Sequence, residues 1–320
     1  MSDLQDSIEA VHIFPIKSCQ EATANGQTIT ELVAGTSSLM YGQVADRQWV
    51  VADNTNLFVS QRGWDENQAR KHREDRLLAT VAVDIQTDYA QITAPQHGTV
   101  NIPLHKVNGE KSTVRIFGPE LPVLGVEEEA SEFFTYLLGR SVNLWRSDSN
   151  RPRLLPDKYQ RPAAVNQSNA ADGRPVTLAS QTSLEYLHDL AGLPHESVPL
   201  INFRANIDIA GTVLGPFGED TLRQIKMGDV AAFVVKALSR CPVPNINQES
   251  GEDSQRLATK ILRARTGWSL GDDISNKAEP FFAQSLNHVY APELDHKVRV
   301  GDSLTIIELG EPNVILKTSS

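Results

Sequence analysis

The sequence predicts a mainly β protein with some helices, an α+β chain in two domains. Three observations carry this. Short strand-like runs follow one another closely through the first third, each ended by turn residues. No G-x-G-x-x-G or Walker-type loop opens a helix, so a nucleotide-binding α/β fold has no motif behind it. And 320 residues exceed the size at which a single core usually stops growing, while a polar, proline-bearing stretch near the middle offers a linker. The expected division is 8–146 and 173–310, joined by a linker over 147–172.

The elements justify themselves in chain order. Residues 10–14 read as a strand before the turn at Pro15, 48–53 as a strand ending at Asp53-Asn54, and 57–60 as a strand within a hairpin's reach of it. Residues 77–84 and 89–94 form another pair, and 113–117 ends at Gly118-Pro119. Strands this close suggest a small barrel or sandwich rather than βαβ units. Residues 127–138 read as a helix: acids crowd its first turn, Phe134, Leu137 and Leu138 recur at helical spacing, and Gly139 stops it. A second helix is expected over 180–190, and strands return at 207–209, 230–238 and 303–307.

Composition narrows the function. With 40% hydrophobic and 22% charged residues the chain is globular, and its net charge of −10 argues against a broad basic face for nucleic acid. An anionic ligand must be held by a local cluster of arginine and lysine. No run approaches the ~20 apolar residues of a membrane span, and the polar start at Met1-Ser2-Asp3 does not resemble a signal peptide. Two cysteines build no disulfide framework and fit a reducing compartment, so a cytoplasmic protein without a membrane partner is expected. The eight histidines show no zinc-type spacing.

Cys241 lies just beyond the run 230–238, in Ser239-Arg240-Cys241-Pro242-Val243-Pro244. A cysteine is commonly a small buried hydrophobe, but its thiolate is also a nucleophile and a soft metal ligand, and both readings are open from this segment alone. Three further basic segments stand at strand ends: Phe14-Pro15-Ile16-Lys17-Ser18-Cys19, Asp46-Arg47-Gln48-Trp49 and Asn202-Phe203-Arg204-Ala205-Asn206-Ile207. A single Lys or Arg at a strand end is usually a solvated charge. Four such segments together suit a pocket that holds phosphate and carries a thiolate.

These segments, with Val59-Ser60-Gln61-Arg62 and Val298-Arg299-Val300-Gly301-Asp302-Ser303-Leu304, resemble the successive motifs of MOSC-domain proteins with an N-terminal MOSC β-barrel. Within that family the likeness is to the mitochondrial amidoxime-reducing component and bacterial reductases of N-hydroxylated bases. The resemblance covers roughly residues 8–308 and implies a small β-barrel followed by a MOSC β-barrel. It also implies a molybdenum cofactor, in which molybdenum sits on the dithiolene of a phosphate-bearing pterin. By motif position Cys241 is the metal ligand and catalytic residue. Lys17, Ser18 and Arg47 contact the cofactor from the first domain, Arg204, Asn206, Ser239 and Arg240 from the second, and Arg174 from the loop Asp172-Gly173-Arg174-Pro175. Arg151 and Arg153 resemble basic residues of the connecting segment, and Cys19 a family position that is not a ligand.

The implied activity is reduction of N-hydroxylated small molecules (hydroxylamines, amidoximes, N-hydroxy bases) by oxygen removal at molybdenum. No cysteine follows Cys241, so the four-cysteine cluster domain of some bacterial relatives is not expected. A separate ferredoxin-, flavodoxin- or cytochrome-type donor with its reductase is implied. Relatives usually continue past the cysteine with an aliphatic pair, two threonines and an acidic turn, whereas this chain has Pro242-Val243-Pro244-Asn245, and 256–275 diverges as well. Two alternatives stand beside the reductase: a sulfur carrier or cofactor-maturation protein using a Cys241 persulfide, and a non-catalytic cofactor-binding module. The family's sulfurases carry a pyridoxal-phosphate domain with no counterpart here, so pyridoxal phosphate binding attaches to the resemblance only at family level.

Overall fold

The structure, a computed structural model, describes residues 5–63, 72–211, 213–270, 276–294 and 296–317. The fold is mainly β with a few helices, as expected. Its largest element is a closed barrel of seven strands. The strands run in the order Val176–Ser180, Ile207–Ile209, Gln5–Val11, Ser303–Leu309, Leu222–Met227, Val230–Ser239 and Glu279–His288. Antiparallel pairing of Glu279–His288 with Val176–Ser180 closes the ring.

One ladder of the barrel is parallel, Val176–Ser180 with Ile207–Ile209, where Leu178 faces Ile207. A parallel pair needs a crossover, and helix α2 (Gln181–Ala191) supplies it. Ser180 caps that helix through its Oγ, which accepts the Ser183 N–H at 3.3 Å, and Gly192 ends it at φ 62°. Gln5–Val11, the earliest strand described, is antiparallel to both Ile207–Ile209 and Ser303–Leu309. It thus completes a sheet otherwise built from residues beyond 175.

Ahead of the barrel strands lie a five-stranded sheet (Gly98–Pro103, Tyr89–Ala94, Ala82–Ile85, Ala22–Ala24, Gln27–Thr28) and a four-stranded one (Lys111–Val114, Leu121–Gly125, Val142–Ser147, Trp49–Asp53). Helix α1 (Glu128–Leu138) buries Ala130, Phe133, Phe134, Leu137 and Leu138, and Gly139 ends it at φ 63°. The exchange between the halves is mutual, because Lys297–Arg299 pairs with Glu31–Ala34. One apolar cluster runs accordingly from Ile8 and Trp49 through Phe134 to Leu286 and Leu304.

Three expected strands are corrected. Residues 77–80 belong to the 3-10 turn Arg73–Thr80, and the strand is Ala82–Ile85. Leu78, Ala79, Thr80 and Val81 are buried in succession, and the alternation a half-buried strand needs begins only at Val81. Residues 57–60 are extended but form single bridges, Phe58 with Ala52 and Leu57 with Arg115. The first strand ends at Val11 rather than Phe14. Beyond it Phe14 donates its N–H to Asp46 Oδ1 at 2.8 Å, and the chain leaves the sheet. Residues 271–275 of the divergent segment lie outside the described residues. Among the described residues no helix is long and apolar enough to cross a membrane.

Candidate functional site

Where both halves of the chain meet, a cleft opens that is lined by residues of each. The first half contributes the loop after Phe14. Lys17 N–H donates to Trp49 O at 2.9 Å, and Arg47 N–H to Phe14 O at 2.8 Å, which brings Lys17, Ser18 and Arg47 to one wall. The barrel contributes Arg204, the residue that ends the 3-10 turn Leu200–Phe203, and Ser239-Arg240-Cys241 beyond Val230–Ser239. Arg240 N–H extends the ladder by one bond, to Pro280 O at 2.8 Å, and the chain then releases Cys241 into the open.

Three of these residues have left-handed backbones: Ser18 at φ 73°, Arg47 at φ 50° and Arg204 at φ 57°. None is glycine, and side-chain-bearing residues rarely adopt this region except where the surrounding structure imposes it. Here the imposition is visible. Gln61 Nε2 donates to Ser18 O at 3.0 Å, and Arg47 Nη2 donates to Arg204 O at 3.0 Å, tying one half's loop to the other's.

The cleft is electropositive within an acidic protein. Lys17, Arg47, Arg62, Arg174, Arg204 and Arg240 line it, against one carboxylate, Asp172, among the described residues. Asp172 pairs with Lys17 Nζ. Desolvation pushes the Asp172 carboxyl up, but the attraction of Lys17, then Arg47 and Arg62, holds it below the ordinary value. Burial lowers Lys17, with Asp172 working against the shift. Burial and the neighbouring Arg47 bring Arg204 down to about 10, and burial likewise lowers Arg174 and Arg240.

Each guanidinium rests on an aromatic face. Arg204 lies 4.3 Å and Arg47 5.1 Å from the Phe14 ring centre, Arg174 3.6 Å from Tyr159, and Arg240 5.3 Å from Phe203. Yet Arg204 Nη2, Arg174 Nε and Nη2, and Arg240 Nε are buried N–H groups without a hydrogen-bond partner among the described residues. An unmet buried donor costs about 1–3 kcal/mol, more when charged. Such groups, beside an exposed thiol, fit a multiply charged anion attached to a soft metal. The residues therefore suit the phosphate-bearing pterin and its metal.

Most of the expected site residues converge here: Lys17, Ser18, Arg47, Arg174, Arg204, Ser239, Arg240 and Cys241 all line the cleft. Asn206 does not. Its side chain accepts from Thr177 N–H at 3.1 Å and donates to His12 O at 3.2 Å, holding strands together. Arg151 and Arg153 do not line the cleft either. Arg151 pairs with Asp148, and the buried Arg153 donates to Pro119 O and Ala171 O. Cys19 is fully buried and its thiol is pushed up by burial. Sequence reasoning missed Arg62 and Asp172 as lining charges, although both stand within or beside motifs it singled out.

Comparison with known proteins agrees with this architecture. The family model described as MOSC N-terminal beta barrel domain matches residues 5–141, and that described as MOSC domain matches residues 166–305. The chain belongs to the MOSC-domain proteins that carry the N-terminal MOSC barrel. Among its relatives is mitochondrial amidoxime-reducing component 1 of Mus musculus, 24% identical over 306 residues, covering 94% of this chain and 82% of that protein. The Xenopus laevis protein of the same name is 27% identical over 298 residues, covering 91% and 79%. Molybdenum cofactor sulfurase of Homo sapiens is 23% identical over 271 residues, covering 80% of this chain but 28% of the sulfurase.

Proposed function

We propose that this protein is a molybdenum-cofactor-dependent oxidoreductase that reduces N-hydroxylated compounds such as hydroxylamines, amidoximes and N-hydroxy bases. The observation that carries the reading is the pairing of an exposed thiol, Cys241, with buried arginine N–H groups left unmet in the same cleft. When bound, the cofactor supplies a metal able to take oxygen from the substrate and to cycle between oxidation states. The chain's own residues hold and orient. Arg47, Arg204 and Lys17 would hold the pterin phosphate, with Arg174 and Arg240 adding charge from the second half. Asp172 keeps Lys17 in the wall, and Cys241 would serve as the metal's protein ligand. Electrons come from a separate ferredoxin-, flavodoxin- or cytochrome-type protein, and the reaction is placed in the cytoplasm.

The sulfur-carrier reading keeps one observation in its favour, the exposure of Cys241 beside a likeness to sulfurases. One experiment separates the two. The protein is purified from a host that makes molybdenum cofactor, and molybdenum, pterin and reduction of an amidoxime by an artificial donor are measured for wild type and Cys241→Ala. Wild type is expected to hold molybdenum and pterin and to turn over. The variant is expected to lose at least a hundredfold in rate while keeping part of its pterin, since the phosphate contacts lie elsewhere. Absence of molybdenum from wild type overturns the reductase, and a sulfur adduct on Cys241 without pterin favours the carrier.

A further inference from the structure

The turn that follows Cys241 is built in detail. Ile246 bridges Asp253, and Asn247 Oδ1 accepts the N–H groups of Glu249 and Ser250 at 2.8 and 2.9 Å. Gly251 has φ +70°, and a Cβ there would lie 2.9 Å from Arg76 O, so glycine lets the turn press against the first half of the chain. Gln20 Nε2 donates to Gln248 O at 2.7 Å from that same half.

At the tip of the turn the Gln248 side chain uses both ends. Its Nε2 donates to Gln61 Oε1 at 3.1 Å and to Ile246 O at 2.9 Å, while its Oε1 accepts from Arg204 Nη1 at 3.3 Å. Gln61 in turn donates to Ser18 O. One carboxamide thus joins the Cys241 segment, the Ser18 loop and the Arg204 guanidinium. By occupying Nη1 it sets the rotation of a guanidinium already stacked on Phe14, and Nη2 is the prong left unmet.

We infer that Gln248 is a positioning residue, a clasp that orients Arg204 toward the cofactor's anionic group and fixes the Cys241 segment against the first half of the cradle. The inference rests on the cofactor reading for its ligand, but the clasp itself is judged without it. Gln248→Met keeps the volume and removes the side chain's polar contacts with Gln61, Ile246 and Arg204, leaving the Gln20 bond to its backbone carbonyl.

The test measures three quantities: the rate of pterin loss from loaded protein, the alkylation rate of cofactor-free protein by iodoacetamide at fixed pH, and the melting temperature. Cys19 is buried and Cys241 exposed, so alkylation reports on Cys241. Gln248→Met is expected to lose pterin about tenfold faster and to change the alkylation rate at least threefold, with melting within a few degrees of wild type. Gln61→Met should act in the same direction, and the double variant should be no worse than the stronger single. Wild-type rates of both pterin loss and alkylation in Gln248→Met overturn the clasp. If that variant does not fold, Gln61→Met decides by the same criterion. If wild type holds no pterin, the cofactor reading falls and the alkylation arm alone judges the clasp.

Discussion

Arg204 stacks on Phe14, shares one prong with Gln248 and leaves the other without a partner among the described residues. A guanidinium so constrained has lost little freedom by the time an anion arrives, which is the advantage of the planar fork over an ammonium. The same scale holds a titration at a residue that does not line the cleft. Protonated His12 donates from Nε2 to Asp208 Oδ2 at 3.0 Å and pairs through Nδ1 with Glu21. Desolvation lowers its pKa, but hydrogen bonds and attraction from Asp208 and Glu21 outweigh this and raise it to about 9. A folded-state value above the ordinary one means this stabilisation is complete below about pH 6.5 and is lost as pH rises through about 9, at most about 3 kcal/mol. Urea midpoints of wild type should therefore fall between pH 6.5 and 9, and His12→Gln should flatten that part of the profile. Equal slopes would refute the assignment.

At the scale of elements, Arg240 and Cys241 are delivered by the end of a strand. Val230–Ser239 stops one residue before Arg240, and the 3-10 turn Val243–Asn245 begins two residues after Cys241. Asn245, nearly fully buried, holds that turn. It donates to Pro242 O at 3.1 Å and Thr259 Oγ1 at 2.9 Å, and accepts Thr259 N–H at 3.0 Å. Asn245→Ala should cost about 1–3 kcal/mol in urea unfolding. Amidoxime reduction should lose more in kcat than in KM, because the thiol's support loosens; unchanged stability and rate would count against this role.

Periodicity made the regular elements legible. The 89–94 alternation, the acid-led helix ended by Gly139 and the 207–209 strand all stand where residue pattern placed them. Residues 57–60 had the right composition for a strand but bend at once into Gln61 and Arg62 to line the cleft. The convergence of Lys17 with Cys241 came from motif order, since no local pattern encodes it. Gln248 was illegible because a lone glutamine in a turn acquires meaning only from three partners, the side chains of Arg204 and Gln61 beside it in space and the Gln20 amide on its carbonyl.

On the scale of the whole molecule, the barrel depends on a strand from the opposite end of the chain. Without Gln5–Val11, the facing edges of Ile207–Ile209 and Ser303–Leu309 have no partner between them. Unpaired edges of this kind invite association. A fragment starting at residue 166 should therefore aggregate or lack native near-ultraviolet circular dichroism, and a synthetic peptide spanning residues 3–14 should restore part of the signal. A monomeric fragment with native-like spectra would show that the barrel closes without it.

That strand placement also sets a timetable. Gln5–Val11 leaves the ribosome long before Ser303–Leu309, the strand it pairs with. At about 5–20 residues per second the wait is on the order of 15–60 seconds. Throughout that interval Lys17 and Arg47 exist on the nascent chain without the completed barrel that carries Arg204 and Cys241. The cradle of basic groups is consequently complete only once the barrel has closed, and an anion that needs all of them would bind the closed protein rather than the growing chain.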